Sequence, residues 1–158
     1  MSEREFWSLA RETIVGSRMP MAAEHIQHGD TSVLHHSVAV AYYGWKLARA
    51  LGIRVSEQEL IRGALLHDYF LYDWHNAAPG TLHGITHPLL ALQNAERDFS
   101  LSERERKIIK RHMFPLTPLP PSCREAVIVC LVDKACAVYE SLRPHAFRKL
   151  RSAVLVRK

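Results

Sequence analysis

The amino-acid sequence predicts an all-α fold, a compact helical bundle. Residues 56–59 and 102–105 both read Ser-x-x-Glu, the pattern of a capping box at a helix N-terminus. Near the start of the chain, Phe6, Ala10 and Ile14 recur at helical spacing. No segment shows the alternation of apolar and polar residues that is typical of a half-buried strand.

Glycine, proline and capping residues divide the chain into its helices. The predicted helices cover residues 2–15, 20–27, about 31–52, 56 to the His67-Asp68 doublet, about 86–98, 102–112 and 122–141, with a last one from 144. Residues 72–84 and 115–121 are predicted loops because both are rich in helix-breaking residues. Gly84 and Pro88 place His83 before its helix rather than in it.

Length and composition predict a single domain over residues 1–158, with its core in about 28–140. Hydrophobic residues make up 47% of the chain and charged residues 23%, as in ordinary globular proteins. No apolar run is long enough to cross a bilayer, so we expect no membrane partner. The charged N-terminus lacks a following signal segment, which favours a cytoplasmic location.

The net charge of +5 comes from the C-terminal segment, residues 143–158. Six of the 21 basic residues and no acidic residue lie there, which leaves 15 basic against 16 acidic groups in the remainder. Such a segment could contact nucleic acid or an acidic partner. We favour a solvated or self-packed terminal helix, and we do not expect nucleic acid as a partner.

Two carboxylates interrupt apolar stretches. Asp68 follows His67 inside the run from Ala64 to Leu71, and Asp133 ends the run from 126 to 132. Burying a carboxylate costs free energy unless a cation compensates it. A metal ion would do so, whereas a hydrogen bond between His67 and Asp68 is the simpler alternative for the doublet.

Histidines on other predicted helices could complete a metal site. His36 shares a helix face with Val33 and Val40, so it faces the core. His87 begins a predicted helix and His112 closes one. Each of them could also be an ordinary core histidine or a helix C-terminal histidine. Imidazole and carboxylate together suit divalent transition metals.

The ordered set resembles the HD-domain metal-dependent phosphohydrolases, which carry a histidine, a His-Asp doublet, further histidines and a distant aspartate. The resemblance implies a first metal site and a second one that shares Asp68, with His67 and Asp68 as catalytic residues. The implied ligands are His36, His67, Asp68 and Asp133 for the first ion and Asp68, His87 and His112 for the second, with His83 as an alternative to His87. One or two divalent ions of iron, manganese, cobalt, nickel or zinc are implied.

The same resemblance implies hydrolysis of a phosphate ester or anhydride by a metal-activated water, on a small phosphorylated and nucleotide-like substrate. Lys110, Arg111 and Lys134 are candidate phosphate contacts. A non-catalytic regulatory protein that binds metal or nucleotide is the alternative. Tyr69 to Leu71 replaces the lysine-containing segment that follows the doublet in HD-GYP cyclic dinucleotide phosphodiesterases, so that activity is disfavoured. Oligomeric state stays open.

Overall fold

A computed structural model describes residues 1–73, 82–143, 145–147 and 150, and within them the predicted all-α fold is confirmed. One 3₁₀ helix, Met19–Ala23, and a two-stranded antiparallel hairpin of β1 (Ile26–His28) and β2 (Thr31–Ser32) accompany the helices. The six α-helices are α1 (Glu3–Val15), α2 (Val33–Ala50), α3 (Glu57–Leu66), α4 (His83–Asp98), α5 (Glu103–Arg111) and α6 (Arg124–Leu142).

The capping box predicted over residues 102–105 forms, the box predicted over residues 56–59 does not, and two further serines cap helices. Ser2 and Ser102 make complete capping boxes, and the Ser32 hydroxyl accepts from the backbone of α2. Ser56 precedes α3 without a side-chain cap, and its backbone N–H donates to Glu125 at 2.9 Å. The carboxylate that would have completed this box, Glu59, accepts hydrogen bonds from α5 instead. Tertiary contacts therefore replace the local motif.

Three predictions about secondary structure are wrong. The helix expected over residues 20–27 is a short 3₁₀ turn followed by β1, and the two strands were not expected. His83 is the first residue of α4 rather than part of the preceding loop, despite Pro88 inside this helix. The His83 ring packs edge-on against Phe70 at 4.9 Å, and its Nδ1 atom shares a 2.7 Å hydrogen bond with the Tyr72 hydroxyl. These contacts offset the poor helix propensity of this segment.

The core sits around α2, which packs mainly against α3 and α6. The α5 helix packs against α3, α4 and α6. The helices α2, α3, α5 and α6 therefore surround the same interior. Phe6 of α1 stacks on Trp45 of α2 at 5.1 Å, and both are fully buried. Because this arrangement directs α2, the end of α3, the end of α5 and α6 toward one another, polar residues at those places meet.

The hairpin of β1 and β2 lies against the end of α6. Gly29 in its turn has φ +58°, and a Cβ there would stand 2.7 Å from the backbone oxygen of Glu140. Only glycine permits both the conformation and this approach.

None of the described helices is long and apolar enough to cross a membrane. The predicted loop over 72–84 and the predicted helix from 144 fall largely outside the described residues.

Candidate metal centre

Four predicted ligands from α2, α3 and α6 meet in the core. His36 lies on α2, His67 caps the end of α3, Asp68 follows it, and Asp133 lies on α6. The His36 Nε2 atom is 3.1 Å from Asp133 Oδ1 and 3.8 Å from Asp68 Oδ2. The His67 Nε2 atom is 3.4 Å from Asp68 Oδ2 and 3.6 Å from Asp133 Oδ1. Both imidazoles are fully buried.

The other oxygen of Asp68 faces two further histidines. Its Oδ1 atom lies 3.2 Å from His87 Nε2 on α4 and 3.5 Å from His112 Nε2 at the end of α5. Those two nitrogens are only 2.9 Å apart. Asp68 thus stands between two groups of ligands, with one oxygen directed to each group.

Hydrogen bonds fix the tautomer of all four histidines. The Nδ1 atoms of His67, His87 and His112 each lie 2.7–2.9 Å from a backbone carbonyl oxygen, which can only accept. The Nδ1 atom of His36 lies 2.8 Å from Glu140 Oε2, also an acceptor. Every Nδ1 atom therefore carries the hydrogen, and each neutral imidazole presents the lone pair of Nε2 to the centre.

The Nε2 atoms of His67, His87 and His112 and the carboxylate oxygens face one another. His36 differs, because its Nε2 atom lies 3.1 Å from Asp133 Oδ1 and donates to it when the ring is protonated. Two neutral Nε2 atoms at 2.9 Å repel, so the contact between His87 and His112 requires a cation, either a proton or a metal ion. The buried His67 Nε2 and Asp68 Oδ1 atoms have no hydrogen-bond partner. Atoms bound to one ion at about 2.1 Å lie roughly 3.0–3.4 Å apart, close to the separations found here. The residues therefore fit divalent metal ions.

Burial and neighbouring charges raise the pKa of two histidines of the cluster and lower the pKa of a third. Burial disfavours a charged His36, but its bonds to Asp133 and Glu140 outweigh burial and raise its pKa to about 10. Burial likewise opposes charge on His67, and the neighbouring Asp68 carboxylate raises its pKa. Burial and the nearby His67 lower the pKa of His112 to about 3. The pKa of Asp68 and that of Asp133 are held below their usual range, against burial, by the surrounding imidazoles.

Two residues that contact these ligands were missed by sequence reasoning. Glu140 is buried on α6 and holds His36, and the Gln27 side-chain amide donates to Asp68 Oδ2 at 2.6 Å. A signal for Glu140 existed, since it lies seven residues after Asp133 and so on the same helix face. Nothing local identifies Gln27, which reaches the centre only through the hairpin. His28, beside it, places its ring 5.4 Å from that of His36.

The remaining predicted site residues lie at different distances from the centre. The His83 ring stacks on His87 at 4.6 Å, while its backbone oxygen receives the hydrogen bond of His87 Nδ1. Lys134 lies on the wall of the cavity that opens onto Asp68. Lys110 is exposed and Arg111 donates to the backbone oxygen of Pro120, and neither is among the described residues that line the cavity.

A cavity of about 600 Å³ opens onto the centre. Asp68, His87, His112 and Asp133 form part of its lining, so both groups of ligands are accessible to a small molecule. Its volume lies within the range that small-molecule sites occupy. The arrangement can therefore hold cations on its floor while a substrate enters from solvent.

Comparison with known proteins identifies the family. A family model described as "HD domain" matches residues 33–137, about two thirds of the chain, which includes all six predicted ligand positions. Searches among curated proteins and among solved structures gave no significant match.

Proposed function

Because this chain belongs to the HD domain family, we propose that it is a metal-dependent phosphohydrolase that cleaves a phosphate ester or anhydride. One observation carries the proposal: a buried aspartate directs its two oxygens to two groups of imidazoles whose lone pairs all face inward. Such a pair of adjoining sites suits the polarisation of a phosphate group and of the water that attacks it.

Two sets of side chains would bind the two metal ions, and Asp68 belongs to both sets. His36, His67, Asp68 and Asp133 would hold a first ion, and Asp68, His87 and His112 a second. We assign His87 to the second ion because its Nε2 atom lies 3.2 Å from Asp68 Oδ1 and 2.9 Å from His112 Nε2, whereas His83 Nδ1 is hydrogen-bonded to the Tyr72 hydroxyl. Iron, manganese, cobalt, nickel and zinc all accept this set of nitrogen and oxygen ligands.

The bound ions would supply positive charge that draws in a phosphate group and acidifies water. Around them, Glu140 keeps the lone pair of His36 directed inward, and Gln27 restrains one oxygen of Asp68. The cavity admits the phosphorylated substrate from the side of α4 and α6. A nucleotide-like substrate is the expectation from the resemblance in the sequence.

The test combines metal analysis with phosphate release. Purified protein is expected to hold one or two transition-metal ions per chain and, when loaded, to release phosphate from a panel of phosphate esters and anhydrides. His36→Gln should lower both the metal content and the activity. His35→Gln is the matched control, since His35 neighbours it but hydrogen-bonds Ser32 instead, and it should retain both.

Two results would count against the proposal. If no metal binds under any loading condition, the ligand assignment fails. If metal binds in full and His36→Gln removes it, but no phosphate compound is hydrolysed, the regulatory alternative without catalysis replaces the enzyme.

A further inference from the structure

We propose that the substrate of this site is a phosphate monoester whose organic group is apolar, and not a nucleoside polyphosphate. The inference rests on the proposed function for its chemistry and on the walls of the cavity for its specificity. It concerns the part of the substrate that lies beyond the phosphate group, which the metal ligands do not contact.

The cavity wall beyond the ligands has a polar part, formed by Gln27, His28, His83 and Lys134, and an apolar part. Leu82, Ile85, Met113, Leu116 and Ala137 supply the apolar part, from the start of α4, the proline-rich loop and α6. Three of them are large side chains left open to solvent, with Leu82 64%, Ile85 42% and Leu116 55% exposed. These exposed apolar side chains converge on the mouth of one cavity. Covering them with an apolar ligand is favourable, because it removes apolar surface from water.

Cationic groups for additional phosphates are scarce in this cavity. Lys134 is the one lysine or arginine among the described lining residues. Its ammonium group already donates to the backbone oxygens of His112 and Cys130, at 2.8 and 3.2 Å, and lies 3.4 Å from the Cys130 sulfur. These three acceptors match its three N–H bonds. Among the described residues, a second or third phosphate would therefore meet no uncommitted cationic side chain.

Large aromatic rings for stacking a nucleobase are also missing from the described lining. It contains no phenylalanine, tyrosine or tryptophan ring on which a base could stack. An alkyl or aryl group matches this wall better than a base and ribose do.

The corresponding reaction is a simple hydrolysis. The oxygen of water forms a bond to phosphorus while the bond between phosphorus and the ester oxygen breaks. The organic group leaves as an alcohol that takes up one proton from the water, and inorganic phosphate keeps the hydroxyl group. No oxidant or second substrate is consumed.

Binding of phosphonates tests the inference separately from catalysis, because their phosphorus–carbon bond is not hydrolysed. We would titrate the metal-loaded protein with methyl-, butyl- and hexylphosphonate and with the phosphonate analogue of AMP, using calorimetry. Affinity should rise about two- to fourfold for each added methylene that reaches the wall, and hexylphosphonate should bind more tightly than the AMP analogue. Equal affinity across the alkylphosphonates, or tighter binding of the AMP analogue, would overturn the inference.

Variants of the wall provide the control. Leu116→Asn should flatten the dependence of affinity on chain length and leave methylphosphonate binding unchanged. Leu119→Asn lies in the same loop, is 40% exposed and does not line the cavity, so its chain-length dependence should match the wild type. A flattening in both variants would contradict the assigned wall.

Activity on hexyl phosphate separates the two proposals. If hexylphosphonate binds with the expected length dependence but hexyl phosphate is never hydrolysed, the apolar pocket stands and the phosphohydrolase assignment fails. If phosphate is released from AMP or ATP faster than from hexyl phosphate, the phosphohydrolase assignment stands and the substrate class is wrong.

Discussion

Glu140 is a single residue on which the orientation of the proposed metal ligand His36 depends. Its carboxylate accepts from His36 Nδ1 at 2.8 Å, and both side chains are buried. Carboxylates that bind the far nitrogen of a ligating histidine fix the ring and increase its basicity. A change confined to this one contact therefore acts on the metal site from outside it.

Glu140→Gln is expected to weaken metal binding about 10- to 100-fold, because the amide binds His36 Nδ1 less strongly and without charge. Metal titration with a competing chelator measures this change. The control is Glu125→Gln, another buried carboxylate of α6, which accepts from the backbone of Ser56 instead. That variant should lose stability but keep wild-type metal affinity. Equal metal affinity in both variants would show that Glu140 does not support metal binding.

At the level of the element, the hairpin of β1 and β2 reaches the centre only because its turn packs closely on α6. Gly29 meets the backbone oxygen of Glu140, where a Cβ would stand at 2.7 Å. The same hairpin supplies Gln27, whose amide contacts Asp68. Close packing at the turn and the position of Gln27 are therefore linked.

Gly29→Ala and Gly52→Ala separate conformational strain from steric overlap. Both glycines have positive φ, but a Cβ at Gly52 would have no atom within 4 Å. Gly52→Ala should cost about 1–2 kcal/mol of unfolding free energy for the left-handed conformation alone. Gly29→Ala should cost about 1–3 kcal/mol more, because backbone must move. Urea unfolding of the two variants measures the difference, and equal losses would show that the hairpin does not press on α6.

A second link joins the segment after the doublet to α4. Asp98 accepts hydrogen bonds at 2.7 Å from both Arg18 Nε and the Tyr69 hydroxyl. Partial burial opposes charge on Asp98, but these donors outweigh it and lower its pKa. Because Tyr69 follows Asp68 directly, the bonds restrain the chain just beyond the doublet.

Asp98→Asn should lower the unfolding free energy by about 1–2 kcal/mol at pH 7. The carboxylate has a lower pKa in the folded state, so its contribution is complete above about pH 4 and is lost as the pH falls through the folded-state pKa. The difference in unfolding free energy between the wild type and the variant should therefore become smaller in acid. Urea unfolding at several pH values checks this, and a difference that is constant down to about pH 2 would contradict the role of the charge.

At the scale of the whole molecule, local signals predicted the helices, the family resemblance implied the ordered set of candidate ligands, and contacts distant in sequence produced the rest. The capping box of Ser102 and the acids in apolar runs are visible within a few residues. The position of Gln27 depends on an approach between the hairpin and the end of α6, more than 100 residues away. His83 joins α4 because Phe70 and Tyr72 pack on it, which overrides the propensity of its own neighbours.

The whole cluster also predicts how metal binding responds to pH. In the metal-free protein the pKa of His36 is raised to about 10 and that of His67 is also raised, whereas the pKa of His112 is lowered to about 3. At pH 7 an incoming ion must therefore displace a proton from His36, but none from His112. Apparent metal affinity should rise as the pH increases from 6 to 8, about tenfold per pH unit for each proton displaced.

The proton count follows from calorimetric titration in buffers of different ionisation enthalpy, with at least one proton released per chain at pH 7. The sign for stability follows from the same pKa values. A raised His36 pKa stabilises the metal-free fold below about pH 6.5, and this contribution is lost as the pH rises toward 10. Metal should therefore raise the melting temperature more at pH 8 than at pH 6. A metal affinity and a melting-temperature gain that are both independent of pH would show that the imidazoles do not receive the ion.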